Sequence, residues 1–246
     1  MEFEKTSIEL YGILIQEPVT ALTDLIVSVV CFYAFVKLKP TYSGANLLRY
    51  YFLLMALTTV YGGIIGHAFI HHLSFAWKLP GWLLSMVSVA LLERTSIKRA
   101  QPLLSKNIGR FFSVLNIVEL LTLILIVCLT LNFSFVEGHA AYGLLVVVFS
   151  FEAFIFKSTR AASSKLFMIA VGISALAATV HLTEFSIDKW FNHLDLSHVL
   201  MATAAFVFFL GGKNAETLTR ISISDLTTNG LSKFKPTKHI KKDDVL

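Results

Sequence analysis

The residues of this chain that could do chemistry are acids and histidines placed in strongly apolar stretches. One set opens the first apolar stretch, closes the second and opens the seventh: Glu17, Asp24, His67, His193, Asp195 and His198. Ionisable side chains at membrane depth are costly, so by default they mark a functional site. Because consecutive spans alternate in direction, these residues belong to one end of a bundle. The sequence predicts a polar, histidine-rich chamber at that end.

The expected chemistry of this chamber is the binding of a metal ion. Imidazoles and carboxylates that converge from separate helices, without a pattern of cysteines, favour zinc. His67 and His198 are the most deeply placed imidazoles, and we expect them to be two of the ligands. The third ligand is left open among His193, Asp195 and His71, with His193 expected first and Asp195 next.

The acids of the chamber are the candidate catalytic groups, and they are Asp24, Glu17 and Asp195. Asp24 lies about two turns into the first helix, where it needs a polar partner, and we expect it to hold a water on the zinc. Zinc would lower the pKa of that water, so that hydroxide attacks an ester or amide carbonyl. Alternatively, Glu17 interacts with the dipole of the first helix at the membrane surface. Alternatively, Asp195 caps the seventh helix together with Asn192.

Other ionisable residues are expected to support the chamber or to lie at the interface. His139, His181 and Glu184 are placed at the same end of their helices as the chamber. Glu119 lies deeper in the fourth apolar stretch, and the sequence names no partner for it. Glu152 lies toward the opposite end.

Composition indicates the elements that must position these residues. A hydrophobic fraction of 55%, a mean hydropathy of +0.70 and only 15% charged residues exclude an ordinary soluble domain. We predict an all-α membrane protein, a bundle of seven transmembrane helices. The predicted spans are Thr20–Val36, Leu47–Ile70, Trp77–Leu92, Phe111–Leu131, Ala140–Phe156, Leu166–Phe185 and Asp195–Leu210. Residues 1–16 are an extracytoplasmic segment, 17–212 the helical domain and 213–246 a basic cytoplasmic tail.

The distribution of basic residues predicts the orientation of the bundle. Of the 21 Lys and Arg residues, 18 fall on the side that receives the C-terminus. Cytoplasmic loops carry this excess, so the N-terminus is expected outside and the C-terminus in the cytoplasm. The net charge of +5 therefore reflects topology, and no nucleic-acid partner is expected. The expected location is a bacterial inner (plasma) membrane, with the chamber facing the periplasm or exterior.

Three motifs carry a resemblance to a known superfamily. They are EPVTALTD at Glu17–Asp24, GHAF at Gly66–Phe69 and NHLDLSHV at Asn192–Val199. The layout resembles the seven-helix membrane hydrolase superfamily of alkaline ceramidases, progestin/adipoQ receptors and Per1-like proteins, and more closely still a bacterial branch associated with it. The resemblance implies a zinc site at the outer membrane face and a lipid substrate.

Only some of the functional residues of that superfamily have a counterpart in this chain. His67 matches the zinc histidine near the end of helix two, and His198 matches the second histidine of helix seven. Gly63 stands where the superfamily has a serine, and Leu194 stands where it has the first histidine of helix seven. The acid expected early in helix three is also absent from Phe75–Pro80, and Asp24 or Glu17 is expected to replace it.

The leading expectation is a zinc-dependent membrane hydrolase that acts on a lipid amide or ester at the outer face. One alternative is a receptor or proton-coupled transporter in which Asp24, His67 and His198 form a protonatable network. A second alternative is a haem-binding redox protein that uses histidines on facing helices as axial ligands. Substrate identity and oligomeric state are left open by the sequence.

Overall fold

The computed structural model describes residues 5–215, and seven helices in this range are long and apolar enough to cross a membrane. They are α1 Pro18–Lys37, α2 Ala45–Ala68, α3 Phe75–Leu103, α4 Lys106–Thr130, α5 Ser134–Thr159, α6 Ala162–Leu182 and α7 His193–Lys213. The predicted fold class, an all-α seven-helix membrane protein, is confirmed. The chain is an integral multi-pass membrane protein. Most of the tail predicted at 213–246 lies outside the described residues.

Six of the helices form a closed ring and the seventh lies outside it. Helix α1 packs on α2 and α7, and the ring continues through α3, α5 and α6. Helix α4 packs against α3 and α5 only at its inner face. Its Leu121, Leu125 and Leu129 side chains are exposed. Such a continuous apolar surface is expected of a helix that faces lipid.

An apolar core closes the ring at the end where α1 terminates. Phe52, Phe167 and Phe208 are fully buried there, and the rings of Phe167 and Phe208 meet edge to face at 5.6 Å. Such aromatic pairs add to the stability that burial alone provides. The opposite end, where α1 begins, contains the polar residues singled out in the sequence.

A β-hairpin precedes α1 and was not predicted. Strands β1 Ser7–Leu10 and β2 Ile13–Gln16 pair antiparallel through a two-residue turn. Tyr11 and Gly12 form this turn with φ values of 52° and 79°. Positive φ at both central residues gives the turn the twist that a tight hairpin requires. The predicted N-terminal segment is therefore folded where it is described, and it leads directly into α1.

The main difference from the predicted spans is the length of α3, which continues past Leu92 to Leu103. The prediction stopped at Leu92 because charged residues follow. In the structure two of them, Glu93 and Arg99, are buried, and Arg99 lies 3.4 Å from the Glu152 carboxylate. Charged residues that find polar partners inside the protein do not end a helix.

Candidate metal centre

Asp24, His67 and His198 converge from α1, α2 and α7. One potential ligand atom from each lies within 4.8 Å of the others. The Nε2 atom of His67 is 3.8 Å from Oδ2 of Asp24, and the Nε2 atom of His198 is 3.5 Å from Oδ1. Ligand atoms around a tetrahedral zinc are about 3.3 Å apart, given its bond lengths. The structure thus brings together the three residues that the sequence placed in one chamber, with Asp24 at ligand distance.

The hydrogen bonds of His67 prepare its Nε2 atom for a metal. Its Nδ1 atom lies 3.2 Å from Oε2 of Glu17. An ionised carboxylate only accepts hydrogen bonds, so Nδ1 carries a proton, and in the neutral imidazole the Nε2 lone pair then faces Asp24. Histidines that bind metals commonly donate their other N–H to a carboxylate in this way.

His198 is prepared in the same way by Thr23. The Thr23 hydroxyl donates to the carbonyl of Thr20 at 3.0 Å, which uses its only proton. It therefore accepts from the Nδ1–H of His198, which lies 3.0 Å away. In the neutral imidazole, this bond leaves the Nε2 lone pair of His198 directed at Asp24. No role was predicted for Thr23, and its position next to Asp24 in the chain is the signal that indicates one.

Glu17 orients His67 and does not cap α1. Its backbone adopts a left-handed conformation with φ 44°, and its side chain makes no capping hydrogen bond. Such a conformation is costly for a non-glycine residue and is typical of functional sites. Burial raises the pKa of Glu17, but the hydrogen bonds and charges of His67 and Lys5 outweigh this effect and hold the pKa at about 2. Glu17 is therefore ionised at neutral pH and supports His67.

Glycines bring α2 close enough to α1 for His67 to reach Asp24. A Cβ atom on Gly63 would lie 2.9 Å from the carbonyl of Ala21 and 3.0 Å from the Cβ of Asp24. The resembled superfamily has a serine at this position, and here no side chain fits. The segment Gly62–Ala68 also winds with the wider turns of a π-helix, a local feature often found at functional sites.

The structure places His193 outside the group of three. The Nδ1 atom of His193 lies 3.4 Å from the hydroxyl of Ser186, and its ring is 5.8 Å from that of His181. We expected His193 to be the third ligand because an unwound first turn could have redirected it. Helix α7 instead begins at His193 itself. Residues five apart in a helix point about 140° from each other, so His193 and His198 diverge.

The two other expected third ligands also lie outside the group of three. The Oδ2 atom of Asp195 accepts from the backbone N–H of Asn192 at 2.7 Å, and the two residues form a capping box. This is the alternative role given to Asp195. The ring of His71 lies against that of His72, tilted by 45° with centroids 3.9 Å apart. The helix changes from π to 3-10 geometry after Ala68, so His71 no longer shares the face of His67, and Asp24 is the third residue of the group.

The three residues line a cavity of about 790 Å³. Most of its wall is apolar and comes from several helices, with Tyr51, Met55, Phe75, Trp82, Met86 and Leu144 among the lining residues. His181 also lines it, and its Nε2 atom lies 3.1 Å from the Glu137 carboxylate. A volume between about 300 and 1,000 Å³ is typical of sites for small molecules. The cavity suits a ligand with a polar and a long apolar part.

A second polar cluster was not predicted as a unit. His139, expected near the interface, is buried inside α5, and its Nδ1 atom lies 2.8 Å from the carboxylate of Glu119. His139 is therefore the partner of Glu119, for which the sequence indicated none. Glu93 of α3 completes the cluster. It was missed because the predicted third span ended one residue earlier.

A family model described as "Family of unknown function (DUF6962)" matches residues 19–217. The chain belongs to this family. The match covers Asp24, His67 and His198 and nearly all of the helical bundle. No curated protein and no solved structure matches the chain.

Proposed function

We propose that this member of the family is a metal-dependent membrane hydrolase that cleaves an amide or ester bond of a lipid. The observation that supports the proposal is the group formed by Asp24, His67 and His198, called the Asp24 group below, at the polar end of an apolar cavity. Two imidazoles and one carboxylate are a ligand set of catalytic zinc sites, which keep the fourth position open. Structural zinc sites use four protein ligands instead.

The donor atoms present fit zinc. Each imidazole is fixed by a hydrogen bond at Nδ1 and directs its Nε2 atom at the Asp24 carboxylate, so the neutral form of each offers its Nε2 lone pair to a metal. Zinc bound there would supply Lewis acidity and an activated water at neutral pH. Glu17 and Thr23 keep the two imidazoles oriented. Their contribution is to hold the ligand geometry before the substrate enters.

A lipid is the substrate class that fits the cavity. Its apolar wall can bury an acyl chain, while the bond to be cleaved lies beside Asp24, His67 and His198. His181 faces the same cavity with Glu137 bound to its Nε2 atom. This imidazole is the group we assign to deliver a proton to the leaving alcohol or amine.

The proposal extends to superfamily and orientation. His67 and His198 occupy the helix positions of zinc histidines in the resembled hydrolase superfamily, which supports a distant relationship to it. The concentration of basic residues at the opposite end of the bundle supports a cavity that faces the periplasm or exterior of a bacterial plasma membrane.

One experiment tests the metal and the reaction together. The full chain is purified in detergent, its zinc content is measured, and it is incubated with a panel of lipid amides and esters. Released fatty acid is detected by mass spectrometry. We expect His198→Ala to lose zinc at the Asp24 group and at least about 100-fold of the activity, since one of three ligands is missing. His72→Ala is the matched control, because His72 does not line the cavity.

Two results would overturn parts of this proposal. Equal zinc content in the wild type and His198→Ala would refute the metal site, and the protonatable network of a receptor or transporter would become the better interpretation. Zinc lost on substitution, but no product from any lipid, would refute hydrolysis of these lipid classes. The haem alternative is disfavoured because Asp24 occupies the space between the two imidazoles that a porphyrin would need.

A further inference from the structure

A second group of potential ligands lies where α4 joins the ring. Glu93 of α3, Glu119 of α4 and His139 of α5 each place one ligand atom within 4.8 Å of the others. The Oε1 atom of Glu119 is 2.8 Å from Nδ1 of His139. None of the three belongs to the Asp24 group, and the proposed hydrolysis does not use them.

The hydrogen bonds of His139 leave a place for a cation. Its Nε2 atom lies 2.9 Å from the backbone carbonyl of Met86, which can only accept, so Nε2 carries a proton. In the neutral imidazole, the Nδ1 lone pair then faces a carboxylate oxygen of Glu119. Two acceptors at 2.8 Å repel each other unless a proton or a metal ion lies between them. An imidazole N–H bound to a backbone carbonyl is also the usual arrangement behind a metal-binding histidine.

Both carboxylates have an oxygen atom without a partner among the described residues. Glu93 is fully buried, and its Oε2 atom accepts from the side-chain N–H of Asn116 at 3.1 Å, but its Oε1 atom has no hydrogen bond. The Oε2 atom of Glu119 is likewise buried and unpaired. An unpaired buried carboxylate oxygen carries a large desolvation penalty. These oxygens point to a ligand.

Arg94 does not pair with either of the two acids. Arg94 follows Glu93 in the chain, yet its Nη1 atom donates to the Ser113 carbonyl at 3.3 Å and to Asn116 at 3.5 Å. Among the described residues, no Lys or Arg side chain pairs with either carboxylate, and their basic partner is the His139 imidazole, 2.8 Å from Glu119. One imidazole carries at most one positive charge, so it does not neutralise both acids. Buried charges are stable in proteins when they are paired or bind metals.

We propose that Glu93, Glu119 and His139 bind a second divalent cation, independently of the Asp24 group. Two carboxylates and an imidazole suit zinc or manganese. The cation joins α3, α4 and α5, and so fixes to the ring the one helix that packs outside it. The inference does not rest on the proposed hydrolysis, since its ligands and its effect on the fold are separate.

Metal stoichiometry tests this second site. The full chain is loaded with Zn²⁺ or, separately, Mn²⁺, freed of excess metal and measured by mass spectrometry. We expect two ions per chain in the wild type with at least one of the metals, and one fewer in Glu119→Gln and in Glu93→Gln. Glu9→Gln removes an exposed carboxylate of the hairpin and should keep both ions. Circular dichroism and gel filtration establish that each variant is folded.

A second readout separates this site from the Asp24 group. His198→Ala should retain the second site, so the metal should still raise its melting temperature. The double variant His198→Ala/Glu119→Gln should lose that rise. If both glutamine variants hold as much of each metal as the wild type, the inference is wrong and a proton alone occupies the cluster. If His198→Ala holds as much metal as the wild type while both glutamine variants lose an ion, the Asp24 site fails and this one stands.

Discussion

The imidazole of His198 is held by two consecutive residues of α1. Thr23 lies 3.0 Å from its Nδ1 atom, and Asp24 lies 3.5 Å from its Nε2 atom. One turn of α1 therefore sets both the tautomer of His198 and the direction of its free lone pair. Thr23 therefore orients His198, whereas Asp24 itself lies at the distance of a second metal ligand.

Thr23→Val should weaken metal binding without removing it. Valine keeps the size of threonine but cannot accept the hydrogen bond of His198, so the imidazole can rotate and change tautomer. Loss of such an orienting partner lowers metal affinity by roughly 10- to 100-fold. Titration with zinc in competition with a chelator measures the change. Thr122→Val is the control, since that hydroxyl only bonds its own helix at an exposed position, and an equal loss there would contradict the role of Thr23.

Asp24→Asn should weaken zinc binding more strongly than Thr23→Val, by more than roughly 100-fold, if the carboxylate is a direct ligand. An amide has the same shape but lacks the negative charge. The sequence had suggested a carboxylate that holds only the water, in which case Asp24→Asn would keep its metal. Chelator competition on Asp24→Asn and on Asp188→Asn, an exposed acid between α6 and α7, decides between these roles.

Gly63→Ala should separate α1 from α2 and weaken metal binding as a result. The added methyl group would meet the Ala21 carbonyl at 2.9 Å, and backbone atoms cannot move aside as a flexible side chain can. Overpacking of this kind costs about 1–3 kcal/mol of folding stability. Thermal unfolding and zinc titration measure the two effects. Gly172→Ala should keep zinc binding and should not lower the stability, because a Cβ atom at Gly172 meets nothing within 4 Å and alanine favours a helix more than glycine does.

The sequence predicted the bundle because apolar length and charge placement are local properties. It also predicted that Asp24, His67 and His198 would meet, since each lies at the same end of its span and needs a polar partner. The third ligand was not predictable with the same arguments. Its identity depends on where α7 begins, and the capping box formed by Asn192 places His193 inside the helix.

The second cluster shows a different limit. A charged residue at the end of an apolar stretch normally indicates the membrane surface, so Glu93 was assigned to a loop. Its burial depends on Asn116, which comes from another helix and lies 3.1 Å from its carboxylate. Pairing between distant helices overrides the local signal, and one sequence alone does not reveal it. The wider turns of Gly62–Ala68 in α2 have no sequence signature either.

A buried ion pair should stabilise the end of the bundle opposite the cavity. Arg99 lies 3.4 Å from Glu152 and donates to Ser163 at 2.9 Å, while its guanidinium lies over the ring of Phe167. Arg99→Met would leave the Glu152 charge buried and unpaired, at a cost of about 3–5 kcal/mol. Adding Glu152→Gln should restore part of this stability. Unfolding of both single variants and the double variant gives the coupling energy, and strict additivity would show that the pair is not coupled.

The orientation of the chain decides which side of the membrane supplies the substrate. The basic residues predict that Leu246 is cytoplasmic and that the loop between α2 and α3, beside the cavity, is outside. A reporter enzyme that is active only outside the cytoplasm should be inactive when fused after Leu246 and active when fused after Leu73. A cytoplasmic fluorescent reporter should give the reverse pattern. The opposite result from both reporters would place the Asp24 group at the cytoplasmic face, and the proposal of a substrate taken from the outer face would be wrong.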